Sequence, residues 1–456
     1  MIFNSNIFLF AFLPVVFTLF WLAWTKQQRY VLMTVAGYVF YGYWDWRFCF
    51  LLLFSSLVSF SAALLIDGAR TGRGRRTWMA LSVGVDLALL GFFKYFNFFA
   101  SSLHAVLPAL PLPVLEIVLP VGISFYTFHT ISYIVDVADG RIRATRNLFE
   151  YLTYVSLFSQ LVAGPIVRFR EIEEDLEKID GPPRQDFMAR GIGFFVVGLI
   201  KKAIVADSIA AFLDPALASY PSLSTAGAWL AALGYTFQIY YDFSGYSDMA
   251  VGLGYLFGIH IPQNFNAPYR AVGPRDFWRR WHMSLSSWLR DYLYIRLGGN
   301  RRGGGRMKVN LMVTMLLGGL WHGANWTFVV WGAYHGLLLI AERLVEPRWD
   351  RVPLAIRRAV TFVLVVFSWV LFRSTDLTMA THWMGTMVGV GAGAQGVPVA
   401  LTALIVLCLL AVNTVPETWD IPFGTTYRWA PVYALGFLVA YLFVNGRNSP
   451  FLYYQF

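Results

Sequence analysis

Charge is what this chain has least of. Only 14% of its 456 residues are Asp, Glu, Lys or Arg, against about 25% in a soluble domain, which excludes an ordinary water-soluble fold. Cysteine is nearly absent as well. Cys49 and Cys408 both sit in apolar stretches, so neither a disulfide framework nor a thiolate metal site is expected. No His/Cys/carboxylate cluster has metal-ligand spacing. A cleavable leader is not expected either, because Lys26 and Arg29 follow the first apolar run, Ile7 to Trp24, instead of preceding it. That run should remain as a span with its N-terminus outside. Nucleotide loops are missing too. Arg302-Gly-Gly-Gly-Arg306 lacks the Gly-Lys-Ser/Thr ending, and Gly391-Ala-Gly-Ala-Gln-Gly396 has no strand before it, so the latter reads as a flexible loop between spans.

What the chain has instead is apolar length, with 57% hydrophobic residues. The expected fold is an all-α polytopic membrane protein, one domain over 1–456. Spans are expected near 7–24, 30–44, 48–66, 77–99, 114–137, 191–212, 229–260, 359–373, 399–414 and 431–446. The basic loop Arg70–Arg76 and the group Arg141, Arg143 and Arg146 should be cytoplasmic, and 101–113, without Lys or Arg, external. Two segments, Leu148–Val167 and 310–342, carry cytoplasmic-type charge at both ends and read as re-entrant. Irregular backbone at membrane depth needs protein or a cavity around it, so the pair implies a funnel. Lys201-Lys202 should interrupt one span, and the stretch Asp242 to Asp248 should break another, placing both carboxylates near a discontinuity.

The positive charge is concentrated. Between Pro262 and Asn310 lie ten Lys/Arg against two Asp, a net +8. Nucleic acid is a poor partner for so apolar a chain; an anionic cytoplasmic leaflet or an anionic donor fits better. Within that segment the period of Phe277, Trp278, Trp281, Leu285, Trp288, Leu289, Tyr292 and Leu293 predicts one amphipathic helix, Asp276–Tyr294, lying in the interface. Arg279, Arg280 and Arg290 fall on its polar side as candidate donor-binding groups. His282 falls at the edge of its apolar face.

His322 is the most informative residue. It stands in Gly318-Gly-Leu-Trp-His-Gly-Ala-Asn-Trp326, between apolar runs whose outer flanks are basic. From Asn310 it lies about 18 Å along a helix, roughly half of a ~30 Å hydrocarbon core. A titratable ring at that depth marks a functional site, and a neutral imidazole can take a proton from a hydroxyl. Glycines around it permit close backbone approach, and Asn325 offers the imidazole a hydrogen-bond partner. His335 is read as a packing residue; His104, His129, His260 and His382 as structural or exposed. A transporter without chemistry would share several of these features.

Phe277-Trp-Arg-Arg-Trp-His282, Trp288-Leu-Arg-Asp-Tyr-Leu-Tyr294, Leu297-Gly-Gly-Asn-Arg301 and Leu317-Gly-Gly-Leu-Trp-His-Gly-Ala-Asn325 closely resemble the membrane-bound O-acyltransferases, in a branch similar to bacterial alginate O-acetyltransferases. Leu119–Tyr126, Ala163–Phe169, Tyr241–Asp248 and the terminal Ser449–Phe456 agree. The resemblance implies a helical bundle whose funnel meets at a central histidine, His322, with His282 as the supporting second histidine on the entrance side. It implies an acetyl donor, acetyl-CoA, on the cytoplasmic face of an inner membrane, and a periplasmic acetyltransferase or polysaccharide-modification complex as partner. The N-terminus would then be periplasmic. Compared with that branch the chain is shorter at its C-terminal side, so alginate, cellulose and other exopolysaccharides stay open as acceptors. So do acylation of peptidoglycan and D-alanyl transfer from a carrier protein.

Overall fold

Long apolar runs leave the backbone little water to bond with, so it bonds to itself, and the computed structural model is built of helices. It describes residues 1–108, 113–425, 428–444 and Leu452; the terminal motif at 449–456 lies outside them apart from Leu452. Two compact units are formed.

The first comprises Met1–Phe195, Met249–Pro262 and Phe423–Trp429. Its helices are α1 (Leu13–Leu22), α2 (Lys26–Gly42), α3 (Arg47–Gly68), α4 (Gly72–Leu90), α5 (Phe96–Val106), α6 (Ile123–Ala138), α7 (Leu148–Ser156), α8 (Phe169–Glu177) and most of α9 (Gln185–Leu199). Thr25 and Gln28 start α2 with a reciprocal capping box. Helices α3, α4 and α6 pack mutually around a buried carboxylate. Asp86 accepts from Ser55 Oγ at 2.7 Å and Thr130 Oγ1 at 2.8 Å, which replaces the hydration it loses. The span expected at 114–137 begins as helix only at Ile123, because Pro113 and Pro120 hold the preceding stretch extended. Between α7 and α8 the chain leaves the helix at Leu157, six residues before the Ala163-Gly-Pro165 sequence. This irregular stretch is buried, and Tyr154 Oη fastens it by hydrogen bonds to the carbonyls of His129 (3.1 Å) and Val167 (3.2 Å).

The second unit comprises Val196–Asp248, Gln263–Pro422 and Ala430–Phe456. It contains α10 (Asp207–Ala218), most of α11 (Thr225–Leu256), the short α12 (Pro274–Trp278) and α13 (Met283–Leu289), α14 (Gly303–His322), α15 (Trp326–Trp349), α16 (Leu354–Arg373), α17 (Leu377–Met387), α18 (Val399–Thr414) and α19 (Trp429–Val444). The Lys201-Lys202 interruption is present as a π-helical stretch, Ile200–Ala206, one added residue that bulges the helix without ending it.

The break expected at Asp242–Asp248 is absent, since α11 runs unbroken for 32 residues. The lysines explain this. Lys202 Nζ meets Asp242 Oδ1 at 2.6 Å and Asp207 Oδ1 at 2.8 Å, all three buried, while Lys201 Nζ meets Asp248 Oδ2 at 2.8 Å. Neutralised from a neighbouring helix, the carboxylates do not need an opened backbone. Gly245 allows that approach: a Cβ there would stand 2.7 Å from the Gly198 carbonyl oxygen.

The glycine loop at 391–396 is hydrogen-bonded to the segment 222–224. Gly393 N and Gln395 N donate to Leu223 O (2.8 Å) and Ser222 O (2.9 Å), and Ser224 N donates to Gln395 O (2.8 Å).

By length and composition, four helical stretches among the described residues can cross a membrane: Arg47–Gly68, Gly72–Val106, Trp326–Trp349 and Leu354–Arg373. Phe8–Leu22, Val399–Thr414 and Trp429–Val444 are shorter apolar helices. The protein is a multi-pass membrane protein.

Candidate active site

The hairpin of α14 and α15 presents His322. It is the last residue of α14, and Asn325 begins α15 three positions later, so the free ends of both helices point the same way, as the paired basic flanks predict. Two helices approach this closely only where side chains are missing. A Cβ on Gly319 would collide with Phe328 O, and one on Gly332 with Met315 O. Gly332 and Gly336, four residues apart, thus form the small-residue face that packs apolar helices in lipid. Helix α14 starts at Gly303, seven residues before Asn310, and its 20 residues span about 30 Å, so helix length alone does not fix His322 at mid-depth.

His322 is 4% exposed. Its ring stands edge-on to Trp321, Trp331 and Phe372 at centroid distances of 5.0, 5.1 and 5.1 Å. Aromatic packing sets its orientation on these three sides. Asn325 does not supply the expected partner: its extended backbone turns the side chain to cap α15, Oδ1 accepting from Thr327 N at 3.0 Å and Nδ2 donating to Thr375 O at 2.7 Å.

The second histidine overturns the single amphipathic helix. Helix α12 stops at Trp278, His282 adopts a left-handed backbone (φ +43°), and α13 begins at Met283, followed by a π-helical stretch at Arg290–Tyr294. A non-glycine residue there is uncommon and strained. The segment before α12 holds it: Met283 N donates to Asn264 O and Asn266 N to Arg280 O, both at 2.9 Å. The kink carries His282 inward. It is fully buried instead of interfacial, edge-on to Phe243 at 4.7 Å and with its ring 6.5 Å from that of His322.

Asn264, which the sequence did not single out, is the polar centre here. Its Oδ1 lies 3.1 Å from His282 Nδ1 and accepts from Ser284 Oγ at 2.8 Å, while its Nδ2 donates to Ser247 Oγ at 3.0 Å. Phe243 and Ser247, one turn apart on α11, thus face His282. Asp242 and Asp248 point elsewhere: Asp242 accepts from Leu452 N at 2.9 Å besides its lysine, and Asp248 from Thr418 Oγ1 at 2.7 Å.

The arginines divide. Arg279 and Arg280 line a cavity of about 320 Å³ together with Arg270, Arg275, Arg357 and Arg358. Carboxylates also line it, and Arg280 pairs with Asp276 at 2.8 Å and Arg275 with Glu346 at 2.6 Å; the second contact raises the Arg275 pKa above the ordinary guanidinium value. Arg279 is exposed. Arg290 is apart from this cavity, hydrogen-bonded to Asp291 at 2.7 Å, which likewise raises its pKa. Among the described residues no group of three or more His, Cys, Asp or Glu is placed to hold a metal.

The two histidines lie buried side by side in an apolar helical unit. The chain belongs to the membrane-bound O-acyltransferase (MBOAT) family, whose model matches residues 9–379. It is 45% identical over 403 residues to "Probable alginate O-acetylase AlgI" of Pseudomonas putida, covering 86% of this chain and 81% of that protein. The corresponding figures for the protein of the same description in Azotobacter vinelandii are 46% over 402 residues, 86% and 79%. A peptidoglycan O-acetyltransferase of Helicobacter pylori is 36% identical over 422 residues, 85% of this chain and 80% of that one. The protein is therefore an O-acyltransferase that uses an acyl donor, and the transporter reading falls.

Proposed function

We propose that this enzyme moves an acetyl group from a cytoplasmic donor, acetyl-CoA, across the inner membrane for O-acetylation of an exopolysaccharide such as alginate. The observation that carries the reading is the buried His282–His322 pair, 6.5 Å between rings. The polymer class comes from the likeness to alginate O-acetylases over most of both chains.

In this reading His322 is the general base. It accepts the proton of the acceptor hydroxyl as the oxygen attacks the acetyl carbonyl; the carbon–sulfur bond then breaks, and the proton passes to the departing thiolate. Substrates reach the histidines from opposite ends of a funnel. The basic segment 262–310 faces the cytoplasm, and the arginine-lined cavity receives the anionic part of the donor, guanidinium groups being suited to phosphate. Along α15, Trp331 at the histidine and Glu342 at the cavity are about 16 Å apart at 1.5 Å per residue, so the donor needs a long arm between its charged head and its acetyl group. A periplasmic acetyltransferase or polysaccharide-modification complex takes the acetyl group on the outer side, since an embedded histidine does not travel along a polymer. The N-terminus is periplasmic, as the absence of basic residues before Lys26 favours.

The test is acetyl transfer by purified enzyme from labelled acetyl-CoA to a small hydroxyl acceptor standing in for the periplasmic partner. Transfer that requires a carrier-protein-bound acyl group instead would replace acetyl-CoA as the donor.

A further inference from the structure

We propose that Asn264 is a positioning residue that locks His282 in the tautomer with its proton on Nδ1, so that Nε2 meets the reacting groups as a hydrogen-bond acceptor. The inference rests on the two-histidine reading above and assigns to its second histidine a definite chemical role.

The argument follows from which atoms must donate. Ser284 N, a backbone donor with no alternative role, lies 3.3 Å from one terminal atom of the Asn264 side chain, which must therefore be the carbonyl oxygen. The other terminal atom, the amide nitrogen, is then directed at Ser247 Oγ, 3.0 Å away, so the amide cannot be reversed. His282 Nδ1 faces that same carbonyl oxygen at 3.1 Å. An unprotonated Nδ1 would set two lone pairs against each other in a buried site, whereas a protonated one makes a hydrogen bond. The competing contact, Ser284 Oγ to Nδ1, is longer at 3.4 Å, and that hydroxyl already donates to Asn264 Oδ1 at 2.8 Å.

A neutral imidazole carries one proton, so Nε2 keeps a lone pair. Nε2 is buried and meets no hydrogen-bond partner among the described residues. A buried acceptor of this kind is costly unless something binds it, and His322 is the titratable ring beside it. His282 therefore accepts a hydrogen bond at Nε2, from the acceptor hydroxyl or from the protonated His322, and as a neutral ring does not donate from Nε2 to a developing oxyanion. The strained left-handed backbone of His282 fits this picture, because it is what brings Nδ1 onto Asn264.

The test reads the tautomer directly. The enzyme, labelled with ¹⁵N-histidine and reconstituted in bilayers, is studied by solid-state NMR, and the His282 signals among the seven histidines are found by subtracting the spectrum of His282→Gln. Protonated Nδ1 with bare Nε2 supports the proposal; a proton on Nε2 overturns it. Two variants add a functional readout. Asn264→Leu should lower kcat by about a hundredfold, within the range for a positioned proton-transfer group. Asn264→Asp, which keeps the accepting oxygen, should stay within about tenfold of wild type, since the Ser247 hydroxyl can rotate to donate. Equal loss in both variants, with the tautomer unchanged, would make Asn264 a packing residue only. If Asn264→Leu does not accumulate, the wild-type spectrum and Asn264→Asp still decide. Because the tautomer is observed without turnover, failure of the transfer reading, tested with His322→Ala, is a separate result.

Discussion

The two histidines stand side by side, yet the regions that hold them use opposite physics. His322 ends a regular helix pinned to its partner by glycines and is surrounded by Trp321, Trp331 and Phe372. His282 sits in a kinked, strained turn where the Asn264 carbonyl oxygen accepts from Ser284 Oγ and faces the His282 Nδ1. Aromatic packing resists added volume, whereas a polar network resists the loss of an acceptor. Placing one histidine by each means allows the two to be disturbed separately.

The largest stability effect should come from outside both regions. Lys202→Met strips the cation from the buried Asp207 and Asp242, and removing one partner of a buried ion pair costs about 3–5 kcal/mol. Its expected outcome is loss of folded protein, measured as the yield of monodisperse enzyme in detergent. Full yield would contradict the lysine as the support of this cluster.

On the His322 side, Gly332→Leu must push α15 off the Met315 carbonyl. Overpacking costs about 1–3 kcal/mol, so the melting temperature should fall and transfer should fall with it. Gly304→Ala, where added bulk meets open space, is the control and should change neither.

On the His282 side the expected effect on stability is smaller and the effect on chemistry larger. His282→Asn keeps a residue type that tolerates the left-handed backbone, so the protein should fold with its melting temperature within a few degrees of wild type while transfer drops at least tenfold. A melting temperature as low as that of Gly332→Leu would contradict the separation of the two regions.

Among the arginines the effects should be smallest. Arg279→Ala should raise the donor KM a few-fold with little change in kcat, and Arg290→Ala, whose side chain pairs with Asp291 outside the cavity, should leave both unchanged. Equal effects of the two would assign the charges to the lipid surface.

These contrasts also mark how far the sequence could be read. The hairpin, its turn at His322 and the role of its glycines were legible because each is local: apolar runs, small residues and paired basic flanks lie within forty or so neighbouring positions. The lysine interruption was legible for the same reason. The unbroken α11 was not, because Asp242 and Asp248 are neutralised by lysines some forty positions earlier, a pairing that only folding creates. His282 was misplaced for a related reason. The 3.6-residue period of the aromatics from Phe277 to Leu293 is genuine, but it survives a kink, and the residue that stabilises the kink, Asn264, lies on a separate segment. Asn325 was assigned to His322 on proximity in sequence, and its extended backbone sends it to cap α15 instead.

The central claim is that the buried histidine pair performs acyl transfer with His322 as its base. Acetyl transfer from labelled acetyl-CoA by purified His322→Ala enzyme tests it most directly. The account predicts that kcat falls by about 10²- to 10⁴-fold, with wild-type yield and melting temperature. Transfer at the wild-type rate by this variant would contradict it.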